Sequence, residues 1–260
     1  MNEEVFYSQN GEDSLIISVF DKPGYFVELG AVDGIHLSNT YALEQHGWTG
    51  LLVEAHPEHF AKLAANRPNS TSIHAAVSDK EGETNFYATQ GGSLSTIDEA
   101  QKNYFIKKRS GVDKGSYTKH KVRSATTTTL LDEASAPHVI DVMSIDIEGA
   151  ELAALRGLDF NAYDVKLMIV EKDLSRSKRW VEEEIRDFLI SKGYRVARRL
   201  GVNDFWAKEP ALEERIRQAP VRARLANGRM VDMLPGENSK KRGFWKRIKD
   251  SYKKRFGQSS

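Results

Sequence analysis

The chain has 260 residues, enough to bury a sizeable core in one large domain or in one domain with a tail. It contains no cysteine, which excludes disulfides, thiolate nucleophiles and cysteine-based zinc sites. Its 38 Lys+Arg against 37 Asp+Glu give a formal charge of +1, which at face value excludes a strongly basic nucleic-acid binder and an acidic disordered chain.

Apolar β-branched runs alternate with segments of helical period, the pattern of an α/β domain built on a parallel sheet. Asn10 is placed to cap a first helix whose buried stripe is Leu15, Ile16, Val19 and Phe20. Pro23-Gly24 breaks the chain before a strand at Tyr25–Gly30. A helix over Ser38–His46, a strand at Leu51–Glu54, a helix from Pro57 to Asn66 and a strand at Ser72–Val77 follow. Thr84–Ala88 reads as an added strand. Residues 98–123 are polar and basic and read as an insertion or lid. The regular pattern resumes with a strand at Val139–Ile147, a helix at Ala150–Arg156, a strand at Val165–Glu171 and a helix at Trp180–Ser191. Strands at Tyr194–Leu200 and Asp204–Ala207, separated by Gly201-Val202-Asn203, form an antiparallel hairpin. The folded domain is therefore expected over residues 1–209, with a linker over 210–239 and a separate tail over 240–260.

No uninterrupted apolar run approaches the roughly 18–20 residues that cross a bilayer. The N-terminal segment lacks the basic start and apolar stretch of a secretory signal, so a cytoplasmic protein is expected.

In an open parallel sheet, ligands bind at the carboxyl ends of the strands. Here those ends carry Glu28, Gly30, Asp33, Gly34, His36, Ser38 and Asn39 after the first strand, and Glu54 after the second. Asp146 and Glu148 follow a later strand, and Glu171 and Asp173 the next. A nicotinamide or flavin site wants G-x-G-x-x-G, so that backbone amides approach a pyrophosphate. The run Glu28-Leu29-Gly30-Ala31-Val32-Asp33-Gly34 has too few glycines and two acids. Such acids repel a pyrophosphate and suit a cationic group. Glu54, 24 residues after Gly30, stands where an acid receives the ribose hydroxyls of an adenosine cofactor. A nucleoside that carries an amino acid in place of phosphates is S-adenosylmethionine. The bland reading is that Glu54 and Asp33 cap the helices that follow.

Tyr7-Ser8-Gln9-Asn10-Gly11-Glu12-Asp13, Val27–Gly34 with Ser38-Asn39-Thr40, and Gly47–Glu54 resemble the opening of FkbM-type methyltransferases. The resemblance continues through Ala76–Asp79, Thr128-Thr129-Leu130, Ile145–Glu151 and Val170-Glu171, and its most specific segment is Asp146-Ile147-Glu148-Gly149-Ala150-Glu151. It implies a class I, Rossmann-like methyltransferase fold: a mostly parallel seven-stranded sheet with a C-terminal antiparallel hairpin and helices on both faces. It also implies S-adenosylmethionine as cofactor and O-methylation of a sugar, glycan or other hydroxylated metabolite.

Carried over residue by residue, the resemblance puts Gln9, Glu28, Gly30, Ala31 and Asp33 along the cofactor, with Ser38 and Asn39 near the methionine carboxylate. Glu54 would take the ribose, and Ala75, Ala76 and Val77 would flank the adenine. Asp146 would lie nearest the transferred methyl, as the first choice for orienting or deprotonating the acceptor hydroxyl. His36 competes for the base role, because its ordinary pKa suits neutral pH. Asp146, Glu148 and Glu171 offer oxygen ligands that suit Mg²⁺. The favoured reading of Glu148 is instead a cap on the following helix, so a metal is not favoured.

The positive charge of residues 98–123 points to an anionic acceptor, against the plainer reading of a solvated surface. The tail is the most segregated part of the chain. Residues 240–255 hold nine Lys/Arg and one Asp, whereas the rest holds 29 basic and 36 acidic residues, or −7. Phe244, Trp245, Ile248, Tyr252 and Phe256 recur at helical spacing among those cations, a pattern suited to an anionic membrane surface through residues 240–256. Nucleic acid is not expected as a partner. The rival readings are a nucleotide-cofactor oxidoreductase, weakened by the missing glycine fingerprint, and a catalytically silent methyltransferase fold acting as a binding module at the membrane.

Overall fold

The computed structural model describes residues 4–89, 94–108, 112, 114–172 and 179–235. Seven strands form the central sheet: β2 (Tyr25–Leu29), β3 (Thr49–Glu54), β4 (Thr71–His74), β8 (Val139–Ile145), β9 (Asp164–Glu171), β10 (Arg195–Leu200) and β11 (Asn203–Ala207). Their order is β10-β11-β9-β8-β2-β3-β4. Only β11 runs against its neighbours, antiparallel to β9 and β10. The chain leaves from the middle of the sheet through β3 to β4 and returns to β8 on the other side of β2. The change of direction lies between β2 and β8, so ligands are expected above that pair.

Helices cover both faces. On one face Leu15 and Ile16 of α1 (Glu12–Val19), Leu43 of α2 (Tyr41–Gln45) and Leu63 of α3 (Pro57–Asn66) pack against Phe26, Leu52 and Val142. On the other, Leu130 of α5 (Thr127–Glu133), Leu155 of α6 (Glu151–Arg156) and Leu189 of α7 (Arg179–Ser191) pack against Val27, Met143 and Met168. Phe26 and Val27 therefore serve opposite cores, as the alternation of a strand buried on both faces requires.

The third expected strand is two. β4 ends at His74 and β5 (Ala76–Ser78) joins a different sheet, β5-β7-β6, with β6 (Gly82–Thr89) and β7 (Tyr117–Thr126). Residues 98–123 belong to this added layer as a helical insertion followed by a strand. They supply α4 (Glu99–Lys108), which buries Gln101 and Phe105, and then most of β7, which pairs with β6 along its length.

The expected linker over 210–239 is also corrected. Residues 210–233 form α8 (Pro210–Gln218) and the hairpin β12 (Val221–Leu225) and β13 (Met230–Met233), with β12 parallel to β1 (Val5–Phe6). Leu212 and Ile216 on one turn of α8, and Val221, Ala223 and Leu225 alternating along β12, all enter the main core. Each full burial of such an aliphatic side chain contributes about 1.5–3 kcal/mol, so this segment is part of the domain. The tail over 240–260 lies outside the described residues. No helix among the described residues is long and apolar enough to cross a membrane.

Asn10 is not the cap of α1. That position is Gly11, with φ +91°. Ser8 and Asp13 secure the turn instead: the Ser8 Oγ accepts the Gly11 N–H, and the Asp13 carboxylate accepts the N–H of Tyr7 and Ser8.

Candidate active site

Glu28, the penultimate residue of β2, bonds to the loop that follows. One carboxylate oxygen accepts the hydroxyls of Ser38 (2.8 Å) and Thr40 (2.6 Å), and the other accepts the Asn39 N–H (2.9 Å). Asn39 in turn donates to the Ser144 hydroxyl at 3.0 Å. The Ser38 hydroxyl also accepts the N–H of Thr40 and Tyr41, so it fixes the start of α2. Glu28, Ser38 and Asn39 are buried and hold the loop in shape. Arg67, fully buried, clamps the same loop through the Gly34 carbonyl (2.9 Å) and the Glu44 carboxylate (2.8 Å).

Gly30 has φ +88°, and a Cβ there would stand 1.9 Å from the Asp146 carbonyl oxygen. Only glycine lets the ends of β2 and β8 approach so closely. Asp33 accepts the N–H of Ile35 and His36 within the loop, so it shapes a turn and does not cap α2, whose N-cap is Thr40.

Glu54 is not a helix cap either, since α3 starts from His56 with no side chain capping it. Its carboxylate accepts the Val32 N–H and the His56 N–H, each at 2.7 Å, tying the two loops together. Burial raises its pKa from 4.5 to about 7 despite those bonds. Ala75, Ala76 and Val77 are buried beside it, with the Ala75 N–H on the Glu54 carbonyl at 3.2 Å. Ala76 and Val77 pair with Ser124 and Ala125 of β7, so one side of their backbone is committed to the small sheet.

The most charged part of the edge lies beyond β8 and β9. Carboxylate oxygens of Asp146, Glu148 and Glu171 fall within 4.8 Å of one another. Asp146 and Glu171 share a hydrogen bond, which between two carboxyl groups requires a proton. Burial and the neighbouring charges of Asp146, Glu148 and Glu151 raise Glu171 well above the usual carboxylate range. Asp146 reaches solvent, yet protein surrounds it closely enough for lost hydration to raise its pKa as well.

Glu148 is not the expected cap. Its φ is +53°, which turns the chain at the loop. Glu151 closes that loop instead, accepting the N–H of Ile147 (3.3 Å) and Gly149 (2.9 Å). The Thr96 hydroxyl holds the Glu148 carbonyl at 2.8 Å, joining the segment before α4 to the site.

The N-terminal motif is built into the same edge. Glu12 is fully buried and accepts the side-chain amides of Asn10 and Asn203, each at 2.9 Å, which ties α1 to the start of β11. Its charge also acts on Asp146. Gln9 offers its carbonyl to Arg229. His36 is exposed on the β2–α2 loop, and the carboxylate cluster does not include it. Glu12, Arg67, Thr96 and Glu151 have no role in the sequence reading. Glu12 and Glu151 were within reach of it, as acids in the two most specific segments, whereas Arg67 and Thr96 carry no local signal.

Residues 28–196 match the model of the methyltransferase FkbM domain, well over half of the chain. The chain belongs to the FkbM methyltransferase family. It is thus a methyltransferase that uses S-adenosylmethionine. No curated protein matches this methyltransferase. Among solved structures it is similar to the PH1948 protein of Pyrococcus horikoshii, with 14% identity, 76% of this chain and 81% of that one covered, and a TM-score of 0.41. A SAM-dependent methyltransferase from Aquifex aeolicus matches at 13% identity, covering 76% and 89%, with a TM-score of 0.40. TrmK of M. capricolum, in complex with S-adenosyl-homocysteine, matches at 9%, covering 75% and 65%, with a TM-score of 0.38.

The donor set of the FkbM methyltransferase fits that cofactor. Glu54, Asp146 and Glu171 are raised carboxyls at one edge, and among the described residues none is paired with a Lys or Arg. Such an edge accommodates a sulfonium and an ammonium, and it disfavours a pyrophosphate.

Proposed function

We propose that this methyltransferase transfers the methyl group to a hydroxyl oxygen of a sugar, glycan or related hydroxylated metabolite. When bound, S-adenosylmethionine supplies an electrophilic methyl group on a sulfonium. The observation that supports oxygen as the acceptor is the Asp146–Glu171 pair beyond β8 and β9. A hydroxyl is a poor nucleophile while it keeps its proton, and a carboxylate of raised pKa within hydrogen-bond reach is a competent base. Asp146 receives that proton at a carboxylate oxygen, and Glu171 holds Asp146 in place through their hydrogen bond. Glu54, Gly30 and Ala31 line the cofactor, and Ser38 and Asn39 shape the loop over its methionine end. Most of the rate then comes from alignment and from exclusion of water, with proton removal adding about 10²–10⁴-fold.

The three-carboxylate cluster supports a second reading, in which a divalent cation such as Mg²⁺ sits on Asp146, Glu148 and Glu171 and acidifies the hydroxyl. Loss of transfer in EDTA and its recovery with Mg²⁺ would select that reading; unchanged transfer in EDTA selects the base. The tail over 240–256 supports a cytoplasmic enzyme resting on an anionic membrane face. Labelled S-adenosylmethionine and a panel of sugars and glycans test the main reading. Label is expected on at least one hydroxylated acceptor, and the absence of transfer to any of them would defeat it.

A further inference from the structure

A cavity of about 220 Å³ opens between the end of β9, helix α7 and the β10–β11 hairpin. Glu171 stands at its wall, and the same carboxylate lies within 4.8 Å of Asp146 and Glu148. The cavity therefore begins where the proposed transfer takes place.

Its apolar wall is Val170, Val181, Ile185, Val196 and the indole of Trp206. Trp206 is 3% exposed, and its Nε1–H has no hydrogen-bond partner among the described residues. Leaving a buried donor unpaired costs about 1–3 kcal/mol, so the indole marks a place suited to a hydrogen-bond acceptor. The charged wall is dominated by acids. Lys172 is paired with Glu182 at 2.7 Å, Arg186 with Asp187 at 3.1 Å, and Arg199 with Asp204. Glu151 and Glu171 are further acids of this wall.

We propose that this cavity holds the acceptor ring and selects an uncharged, hydroxyl-rich ring over an anionic one; the proposal rests on the O-methylation reading. Hydroxyls donate to the carboxylates and accept from the Trp206 N–H, and the C–H face of such a ring packs on the indole and Val196. A carboxylate on the ring would meet the negative charge that the Asp146–Glu171 pair keeps when its two carboxyls share one proton. Ion pairs offset part of the basic charge of residues 98–123. Lys102 is paired with Glu99 (2.8 Å), Lys121 with Glu83 (3.1 Å) and Arg123 with Glu133.

The test uses the full chain saturated with S-adenosyl-homocysteine and ligand-observed NMR with methyl glucoside and methyl glucuronide as probes. The glucoside is expected to bind at least about tenfold tighter than the glucuronide. Val196 is 40% exposed, so Val196→Trp plugs the cavity from its solvent side. It is expected to weaken the glucoside at least tenfold and leave cofactor affinity unchanged. Trp206→Phe keeps the packing, removes the N–H and is expected to weaken the glucoside several-fold; it serves if Val196→Trp does not fold. No glucoside binding, equal binding of the two probes, or full glucoside affinity in the variants would overturn the assignment. Transfer to a hydroxyl acceptor with unchanged KM in Val196→Trp would reject the cavity and leave O-methylation standing. No transfer to any hydroxyl by the wild type would remove O-methylation and the cavity's role together.

Discussion

The carboxyl groups of Asp146 and Glu171 meet across the ends of the neighbouring parallel strands β8 and β9 and share one hydrogen bond. Two such groups titrate as a unit, in two steps that belong to the pair. Asp146→Asn removes the base and is expected to lower kcat by about 10²–10⁴, with cofactor affinity within a few-fold of the wild type. Glu171→Gln keeps a hydrogen-bond donor beside Asp146 and removes one titrating group. Its pH–rate profile is expected to show one ionisation from the site where the wild type shows two. An unchanged profile would mean that the pair does not act as described.

Gly30→Ala sets a side chain against the Asp146 carbonyl at a backbone angle that L residues rarely adopt. The strand ends must separate to admit it. The melting temperature is expected to fall by roughly 5–10 °C, with loss of cofactor binding measured by calorimetry. Gly82→Ala provides the comparison: φ there is +131°, and nothing lies within 4 Å of the added Cβ. A similar loss in both variants would show that backbone strain, and not the close approach of β2 and β8, sets the effect.

Two buried carboxyls give the fold a pH dependence of definite sign. Burial raises Asp13 from 3.8 to about 6 and Glu54 from 4.5 to about 7. Stabilisation from a raised carboxyl is complete below its ordinary value and is lost as pH climbs through the folded value. Each group is expected to favour the cofactor-free protein at pH 5 over pH 8 by on the order of 1–3 kcal/mol, read in urea unfolding as the difference from Asp13→Asn or Glu54→Gln, because His59, lowered to about 4 by burial, acts in the opposite direction. Ionised Glu54 is the form that accepts ribose hydroxyls, so cofactor affinity should tighten over the same interval. A pH dependence unchanged by Asp13→Asn and by Glu54→Gln would contradict both assignments.

The corrected domain end is testable by truncation. A chain ending at residue 209 lacks Leu212, Ile216 and the strand that pairs with Val5–Phe6, and it is expected to be insoluble or to melt well below the full chain. A chain ending at 235 keeps them and should melt with the wild type. It should also keep methyl transfer and lose sedimentation with anionic vesicles. Equal sedimentation of the two proteins would reject the membrane role of the tail.

The central sheet was legible because β2, β3, β8 and β9 are short, largely apolar runs bounded by turn residues, and Gly201-Val202-Asn203 announced the hairpin. The ends of the domain were harder to read. Val221-Arg222-Ala223-Arg224-Leu225 alternates cleanly and turns at Asn227-Gly228 into β13, a local hairpin signal, whereas its other partner is a two-residue strand more than 200 positions away. The site was legible in its carboxylates and less so in their roles. Glu148 and Glu151 are both acids at the start of a helix, and the choice between them turned on the backbone of Glu148, whose φ is positive. Glu28 and Glu54 stood where expected, yet both are occupied with backbone and side-chain donors of their own loops.

The most direct measurement is the fate of a ¹³C-methyl group carried into the reaction on S-adenosylmethionine, followed by NMR of the products from the wild type and Asp146→Asn. The wild type is expected to give a methyl ether on a hydroxylated acceptor, and the variant at most about a hundredth of that rate. Label appearing on nitrogen, or an Asp146→Asn variant as fast as the wild type, would contradict a methyltransferase that works on oxygen through Asp146.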